Sequence, residues 1–295
     1  MNKKLAIVIS SFSALLEKDI EKYDDIYLTP LQLFIENEQW LEGFYDDKTK
    51  YEIVEKFKLS EDFKTSLAPI GVLEEQIKEL SSKYDEVIYL PINSYLSSSH
   101  NTILNLSKNF KNVHVINNKL VGHAFLEIAL EAKKLYEEKN YSINEIIEII
   151  KSYDQKSIGY IIPHELRTFI KSGRLKGIKK TIMSSLKLST IVEFDYELNS
   201  VGIVASRKLG AQKVIQKIES FIKKQKMNID DFKFTIIYAF DKTIANVFKE
   251  AVEKQLGKKI DDMYESSLAT MFHTGWGASF LGINPKIKLS LLEKK

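Results

Sequence analysis

Short apolar runs alternate with amphipathic stretches along the first half of the chain, and this alternation limits the folds that it can adopt. The run LAIVIS at 5–10 precedes SALLEKDIEKY, and DEVIYLPI at 85–92 is followed closely by SSSHNTILNLSKNF. The β-branched residues of the runs suit strands buried on both faces, whereas the stretches after them have a helical spacing of apolar residues. Such strand–helix alternation predicts an α/β fold with a mostly parallel sheet flanked by helices.

The pattern changes after about residue 156, where predicted strands follow one another more closely. The segment STIVEFDYELNSVGIVASR predicts two strands joined by a turn at Asn199-Ser200, and residues 178–188 are predicted to be helical. This half is expected to form an α+β domain with a mixed sheet. We therefore predict two domains, 1–156 and 157–295, and ligands often bind between such halves.

The first residues, MNKKLAIVISSFSALLEKD, allow two interpretations. Two lysines before an apolar stretch resemble a short signal peptide. The alternative, which the β-branched LAIVIS favours, is a buried first strand followed by a polar turn and a helix. No apolar run reaches the roughly 18 residues that a membrane span needs.

Composition excludes several classes of function. Lys and Arg number 43 against 40 Asp and Glu, so the net charge of +3 does not predict nucleic-acid binding. The chain has no cysteine, which excludes disulfides, thiol catalysis and Cys-ligated zinc. That composition suits a reducing compartment, and we expect a cytoplasmic protein.

Familiar catalytic motifs are missing from the sequence. It contains no phosphate-binding G-x-x-x-x-G-K-[ST] loop, no G-x-G-x-x-G after the first strand and no G-x-S-x-G elbow. The five histidines are too dispersed to predict a metal site, and no cofactor is expected. His273 differs from the others because Gly275 and Gly277 follow it, and a histidine beside such a turn can donate to an anion or move a proton. A turn with a structural histidine is the alternative.

Hydroxyl groups cluster at two predicted strand-to-helix turns. Thr65 and Ser66 lie in a predicted turn before a helix whose first turn holds Pro69, and serines recur from Ser94 to Ser99. Ligands bind at the carboxyl ends of strands in open α/β sheets, where hydroxyls and free N–H groups suit an anion. Arg174 follows a predicted helix end at Gly173, where it could answer the helix dipole or contact an anion.

Four segments, taken in order, resemble one family. They are KTSLAP at 64–69, INSYLSSS at 92–99, FIKSGRLKG at 169–177 and HTGWGASFLG at 273–282. They are similar to the K-T-S-x-P, I-S-S-x-L-S-G-T, L-x-x-G-G-R-I and H-x-G-P-G-x-x-G segments of the DegV proteins, a family of fatty-acid-binding proteins. Their order and spacing match over essentially the whole chain.

The resemblance implies a two-domain α/β protein with one long-chain fatty acid in an apolar tunnel between the domains. It implies a non-catalytic subunit that presents the carboxylate to a separate ATP-dependent fatty acid kinase. The acyl-phosphate product feeds phospholipid synthesis, and transient contact with a membrane surface is expected.

The resemblance also assigns roles to individual residues. Thr65, Ser94 and His273 match the residues that contact the carboxylate. Arg174 matches an arginine that serves phosphotransfer or kinase docking, and Arg207 in VASRKLG aligns loosely with a second one. Gly275 and Gly277 are expected to bring backbone close to the ligand. Ser97, Ser98 and Ser99 are expected to shape and cap their turn.

Several positions depart from the family pattern. Ser10 replaces the aspartate that usually ends the first strand, Asn93 replaces the first serine of I-S-S, and Trp276 replaces the proline of H-x-G-P-G. Ser172 replaces the first glycine of G-G-R. Two alternatives therefore stay open beside the kinase subunit. One is a carrier or sensor without a kinase, and the other is a hydrolase with Ser94 as nucleophile and His273 as base.

Overall fold

The structure, a computed structural model, describes residues 3–176, 189–288 and 292. The predicted helix at 178–188 lies outside the described residues. The chain divides into two compact units, and each contains more than one stretch of sequence. Unit 1 holds the described residues within Met1–Asp154, Ser267–Ala269 and Ile287–Lys295, and unit 2 those within Gln155–Ser266 and Thr270–Lys286. The sequence prediction used a single boundary at 156/157. In the structure, two short stretches near the carboxyl terminus, Ser267–Ala269 and Ile287–Lys295, are also assigned to unit 1.

Unit 1 is built on a parallel sheet with strand order β2-β1-β6-β7. Its elements are β1 (Leu5–Ser10), α1 (Glu17–Ile20), β2 (Ile26–Thr29), β3 (Gln32–Ile35), β4 (Glu38–Leu41), α2 (Asp47–Leu59), β5 (Phe63–Ser66), α3 (Ile70–Lys83), β6 (Glu86–Leu90), α4 (Ser99–Leu106), β7 (Val113–Val115), α5 (Ala124–Glu138) and α6 (Ile143–Gln155).

The predicted first strand is confirmed as β1, which pairs in parallel with β2 and β6. Every residue of β1 is buried, as expected for a central strand covered on both faces. Helices α5 and α6 contribute apolar residues to the core on one side of the sheet, and α3 contributes to the core on the other. The alternation of apolar runs and amphipathic stretches thus gave the correct layers.

Strand β2 ends before Pro30, which lacks the N–H that a strand needs. The chain continues as β3 and β4 in a separate antiparallel sheet of order β4-β3-β5. Thr65 was expected in a turn, but it lies in β5 and pairs with Leu33. Pro69 is the N-cap residue of α3.

Unit 2 contains a mixed sheet of order β13-β12-β14-β8-β10-β11-β9. Its elements are β8 (Ile158–Ile162), α7 (Leu166–Lys171), β9 (Leu175–Lys176), β10 (Ser189–Asp195), β11 (Glu197–Val204), α8 (Arg207–Gln225), β12 (Phe232–Tyr238), α9 (Thr243–Leu256), β13 (Asp262–Glu265), α10 (Leu268–Thr274) and β14 (Ser279–Pro285). Helix α10 begins in residues that belong to unit 1. The predicted mixed sheet is confirmed, and helices α8 and α9 supply the core on one of its faces.

The turn between β10 and β11 differs from the prediction. It lies at Tyr196, which has a left-handed φ of 61°, rather than at Asn199-Ser200. Those two residues pair within β11, opposite Glu193 and Val192. A β-bulge at Ile191/Val192 occurs next to them. Asn199 and Ser200 therefore lie beside an irregularity in the strand pairing, and not in a turn.

The ring of Phe280 occupies the space above two glycines on neighbouring strands. A Cβ atom built on Gly159 would lie 2.0 Å from Phe280 Cε2, and one on Gly282 would lie 2.4 Å from Phe280 Cε1. Side chains alternate along β14, so Phe280 lies on the face opposite Leu281, which belongs to the core under α8 and α9. The two glycines therefore leave a recess that this aromatic ring fills.

We predict opposite effects for one substitution at two glycines. Gly159→Ala must displace the Phe280 ring and should lower the free energy of unfolding by about 1–3 kcal/mol. Gly71→Ala, in the first turn of α3 with no atom within 4 Å of the added methyl, should raise it by about 0.5–1 kcal/mol. Urea denaturation measures both. Equal shifts would contradict the packing described for Phe280.

Candidate functional site

The carboxyl ends of β1 and β6 meet at the centre of the parallel sheet of unit 1. From β1 the chain continues to β2 on one side, and from β6 it continues to β7 on the other. Ligands of open α/β sheets bind outside such a point, where connections leave in opposite directions. The serines after β1 and those after β6 both follow strands that end there.

The hydroxyls after β1 serve the local backbone. Ser10 Oγ accepts the N–H of Phe12 at 3.2 Å, and Ser11 Oγ accepts the N–H of Leu31 at 3.0 Å. Ser13 Oγ is buried without a hydrogen-bond partner among the described residues. This loop is thus held rigidly beside the end of β2, even though Ser10 stands where the family pattern has an aspartate.

The segment after β6 contains an exposed serine, Ser94, and other serines that hold the turn. Asn93 Oδ1 accepts the N–H groups of Tyr95 and Leu96 at 3.1 and 2.9 Å. Ser94 is exposed, and its N–H donates to Asn117 Oδ1 at 3.0 Å. The buried Asn93 therefore fixes the backbone on which Ser94 is presented.

The serines after Ser94 only partly match the expectation that they shape and cap the turn. Ser97 Oγ accepts the N–H of Ser99 at 3.2 Å, and the two hydroxyls are 2.8 Å apart. Ser98 occupies the N-cap position of α4 but makes no side-chain cap hydrogen bond. Ser97 and Ser99 thus shape the turn, whereas Ser98 does not cap the helix.

A small cavity lies at the ends of β1, β2 and β6. Its volume is about 10 Å³, which is room for about one water molecule. Polar groups of Ser10, Thr29 and Ser99 line it beside apolar side chains. The cavity cannot hold an acyl chain.

In unit 2 the structure brings together Arg174 and His273, which are 99 residues apart in sequence. Helix α7 ends at Lys171, and Gly173 follows with a left-handed φ of 69°, as the predicted helix end requires. This turn directs Arg174 back so that its Nη1 donates to Ser172 O at 3.0 Å and lies 3.1 Å from His273 Nδ1. His273 lies in the last turn of α10.

The arginine determines the chemical state of the imidazole. A guanidinium can only donate, so His273 Nδ1 must accept, and the ring must be neutral with its proton on Nε2. Burial, together with the positive charge of Arg174, lowers the pKa of His273 to about 3. Burial also lowers the pKa of Arg174 from its ordinary value. His273 is therefore a neutral hydrogen-bond donor at physiological pH, which suits a carboxylate acceptor.

Gly275 and Gly277 follow α10 and take φ values of +88° and +76°. A Cβ on Gly277 would come within 3.1 Å of the His164 ring, and one on Gly275 within 3.3 Å of Thr168. The rings of His164 and Trp276 are in edge contact with centroids 5.6 Å apart. Both glycines are required by backbone conformation and by close packing. Their expected proximity to a ligand stays a prediction.

Arg207, the first residue of α8, contacts the segment after β8. Its Nη2 donates to His164 O at 3.3 Å. Thr65 and Ser94 belong to unit 1, whereas Arg174, Arg207, His273 and the two glycines belong to unit 2. Within unit 2, hydrogen bonds join Arg174 to His273, and Arg207 to His164, whose ring lies against Gly277.

Glu42, which no sequence motif predicts, is a buried acid whose carboxyl group accepts hydrogen bonds from the first residues of α10. Its Oε2 accepts the N–H of Ala269 at 2.7 Å, the N–H of Leu268 also bonds it, and Tyr45 donates its hydroxyl to Oε1. Burial raises the pKa of the Glu42 carboxyl to about 7. No local signal marks this residue, because its helical partner is 227 positions away in sequence.

Among residues 3–176, 189–288 and 292, no three or more His, Cys, Asp or Glu side chains are grouped as metal ligands would be. No helix in this part of the chain combines the length and apolar character needed to cross a membrane.

The family pattern described as "Uncharacterised protein, DegV family" matches residues 4–286. The chain belongs to the DegV family. A DegV domain-containing protein of Mycoplasmopsis pulmonis is 25% identical over 276 residues, covering 93% of each chain. The DegV domain-containing protein MG326 of Mycoplasma genitalium is 27% identical over 265 residues, covering 85% of each.

Solved structures share the fold at low identity. The fatty acid binding DegV family protein SAG1342 from Streptococcus agalactiae superposes with a TM-score of 0.83 at 22% identity, covering 96% of this chain and 99% of its own. A stearic acid-binding protein from Eubacterium ventriosum gives a TM-score of 0.78 at 19% identity, covering 96% and 98%. The expected α/β fold with a second sheet domain is confirmed.

We predict that His273 remains neutral well below pH 6 and that Arg174→Ala raises its pKa. Removing the guanidinium removes a positive charge that disfavours the imidazolium, so the pKa should move up toward its ordinary value of 6.5. Nitrogen NMR of histidine-labelled protein, with His273→Gln to assign the resonances, measures the tautomer and the titration. A wild-type His273 that carries its proton on Nδ1, or that titrates near pH 6.5, would contradict the assigned hydrogen bond.

Proposed function

We propose that this protein binds a long-chain fatty acid, and that Thr65, Ser94 and His273 hydrogen-bond the carboxylate. The observation that carries the proposal is the neutral imidazole of His273, whose Nδ1 accepts from Arg174 Nη1 and whose proton therefore lies on Nε2. DegV relatives described as binding fatty acids support the nature of the ligand.

The chemistry of the proposed site suits a carboxylate attached to an apolar chain. A carboxylate is acceptor-only, and hydroxyls and an imidazole N–H supply the donors that its burial requires. Arg174 adds a positive charge next to the imidazole without itself needing to contact the ligand. Most of the affinity would come from the acyl chain, at about 0.8 kcal/mol for each buried CH₂.

We further propose that the bound carboxylate is phosphorylated by a separate ATP-dependent fatty acid kinase, for use in phospholipid synthesis. The sequence has no phosphate-binding loop of the familiar kind, so phosphoryl transfer would belong to the partner. Arg207, the first residue of α8, is the candidate for docking. Arg174 would serve both the ligand site and the transfer.

Transient contact with a membrane is part of the proposal, because fatty acids partition into lipid bilayers. Ile70 and Val72, in the first turn of α3, are 55% and 46% exposed and follow Thr65 closely in sequence. Apolar side chains exposed in this way can enter the interface of a bilayer. A stand-alone carrier or sensor would use the same contact without a kinase.

The serine hydrolase alternative is poorly supported by the chemistry of His273. A catalytic triad needs an acid that orients the histidine and stabilises its protonated form. Here a cation bonds Nδ1, and the pKa of about 3 makes the imidazole a weak base at neutral pH.

The test is the affinity of delipidated protein for oleate. Thr65→Ala, Ser94→Ala and His273→Ala should each weaken binding by about 1–3 kcal/mol, as expected for a hydrogen bond to a charged group. Ser98→Ala is the matched control, because Ser98 is exposed and makes no cap hydrogen bond. If Ser94→Ala and Ser98→Ala behave alike, Ser94 is not part of the site.

Arginine variants separate binding from phosphorylation. Arg207→Ala should leave oleate binding unchanged and impair acyl-phosphate formation when a fatty acid kinase and ATP are added. Arg174→Ala should weaken binding as well, because it releases His273. A loaded wild-type protein that no fatty acid kinase accepts would favour the carrier or sensor.

A further inference from the structure

Glu42 is an ionisable side chain whose burial makes its negative charge costly. It is 2% exposed and follows directly after β4. Its backbone N–H donates to Leu31 O at 2.8 Å, and Gly43 after it takes a φ of +88°. An added Cβ on Gly43 would lie 2.6 Å from Leu28 Cδ2, so this corner is tightly packed and holds the acid in a fixed place.

Both carboxyl oxygens of Glu42 are used. Oε2 accepts the N–H of Ala269 and Oε1 accepts the Tyr45 hydroxyl, while the N–H of Leu268 also donates to this carboxyl group. The first N–H groups of a helix have no partner within it, so Glu42 supplies what α10 lacks. A negative charge at this end is also favoured by the helix dipole.

The same short helix carries His273 at its other end. Helix α10 runs from Leu268 to Thr274, which is less than two turns, so its two ends cannot move independently. His273 must keep its Nδ1 near Arg174 to remain a donor through Nε2. Contacts that fix the first turn of α10 therefore also fix the position of the His273 imidazole.

We propose that Glu42 is a positioning residue for His273, acting through the amino end of α10, and that its ionisation sets how firmly the imidazole is presented to the ligand. This inference rests on the proposed function, because it assumes that His273 contacts a fatty-acid carboxylate. Glu42 itself does not contact the ligand.

The Glu42 carboxyl group changes its charge near neutral pH. Burial raises the pKa of its carboxyl to about 7, opposed by the hydrogen bonds from Tyr45, Ala269 and Leu268 and by the charge of Lys50 on α2. The tyrosine beside it has a pKa raised well above its ordinary value by burial and by Glu42. His273, with its pKa lowered to about 3, does not titrate in this range. Above pH 7 the ionised carboxylate holds α10 more strongly than the neutral acid does below it.

The experiment compares oleate affinity of wild type and Glu42→Gln between pH 6 and pH 8. The glutamine has the same shape but cannot ionise, and the titration of oleate itself is common to both proteins. The ratio of the two dissociation constants should be near one at pH 6 and rise to about three- to tenfold at pH 8, with the variant weaker. Glu52→Gln, an exposed glutamate of α2, is the control and should give a ratio of one throughout.

A ratio that does not change with pH would overturn the proposal, whether it is one or uniformly larger, because a merely structural role gives no pH step. If Glu42→Gln fails to unfold cooperatively, Glu42→Asp replaces it. That variant retains an ionisable group, so its affinity should keep a pH step with a displaced midpoint. An undisplaced midpoint would contradict the role of Glu42.

A wild-type protein that binds no fatty acid at any pH would refute the proposed function and leave the positioning role to be read separately. The imidazole resonances of His273 then supply the measurement, since that ring does not itself titrate between pH 6 and pH 8. A shift through pH 7 that is lost in Glu42→Gln supports the positioning role. Resonances that stay constant in the wild type overturn it.

Discussion

The hydrogen bond from Arg174 Nη1 to His273 Nδ1 determines the chemical state of the imidazole in unit 2. It places a cation where a catalytic triad has an acid, and so makes the imidazole a neutral donor instead of a base. The surrounding backbone serves this contact. Gly173 turns the chain after α7 toward the histidine, and the left-handed Gly275 and Gly277 allow α10 to be followed at once by β14. A donor of this kind beside a fixed positive charge is suited to a carboxylate.

Helix α10 connects this contact to a second buried ionisable group. The Glu42 carboxyl group accepts hydrogen bonds from the amino end of the helix, and His273 lies at its carboxyl end. Burial shifts the pKa values of both groups toward their neutral forms, upward for the acid and downward for the base. The two groups differ in what limits the shift. Hydrogen bonds from Tyr45, Ala269 and Leu268 oppose the upward shift of the Glu42 pKa, whereas the positive charge of Arg174 adds to the downward shift of the His273 pKa.

The parts of the fold that follow from local pattern could be predicted from the sequence. Burial on both faces made LAIVIS recognisable as the central strand β1, and Gly173 was recognisable as a helix end. Predictions failed where partners distant in sequence decide the structure. Thr65 became a strand residue because β3 pairs with it, and Asn199-Ser200 became part of a bulged ladder. The Arg174–His273 contact and the Glu42 cap join residues 99 and 227 positions apart, and no spacing rule within one segment could show them.

Membership of the DegV family and the chemistry of His273 lead to one central claim, that this chain holds a fatty acid. Native mass spectrometry of the purified protein, followed by denaturing extraction and lipid analysis, tests it most directly. The account predicts one added mass per chain, equal to a single long-chain fatty acid that is released on denaturation. A protein that is isolated empty, and that takes up neither oleate nor palmitate when they are supplied, would contradict the account.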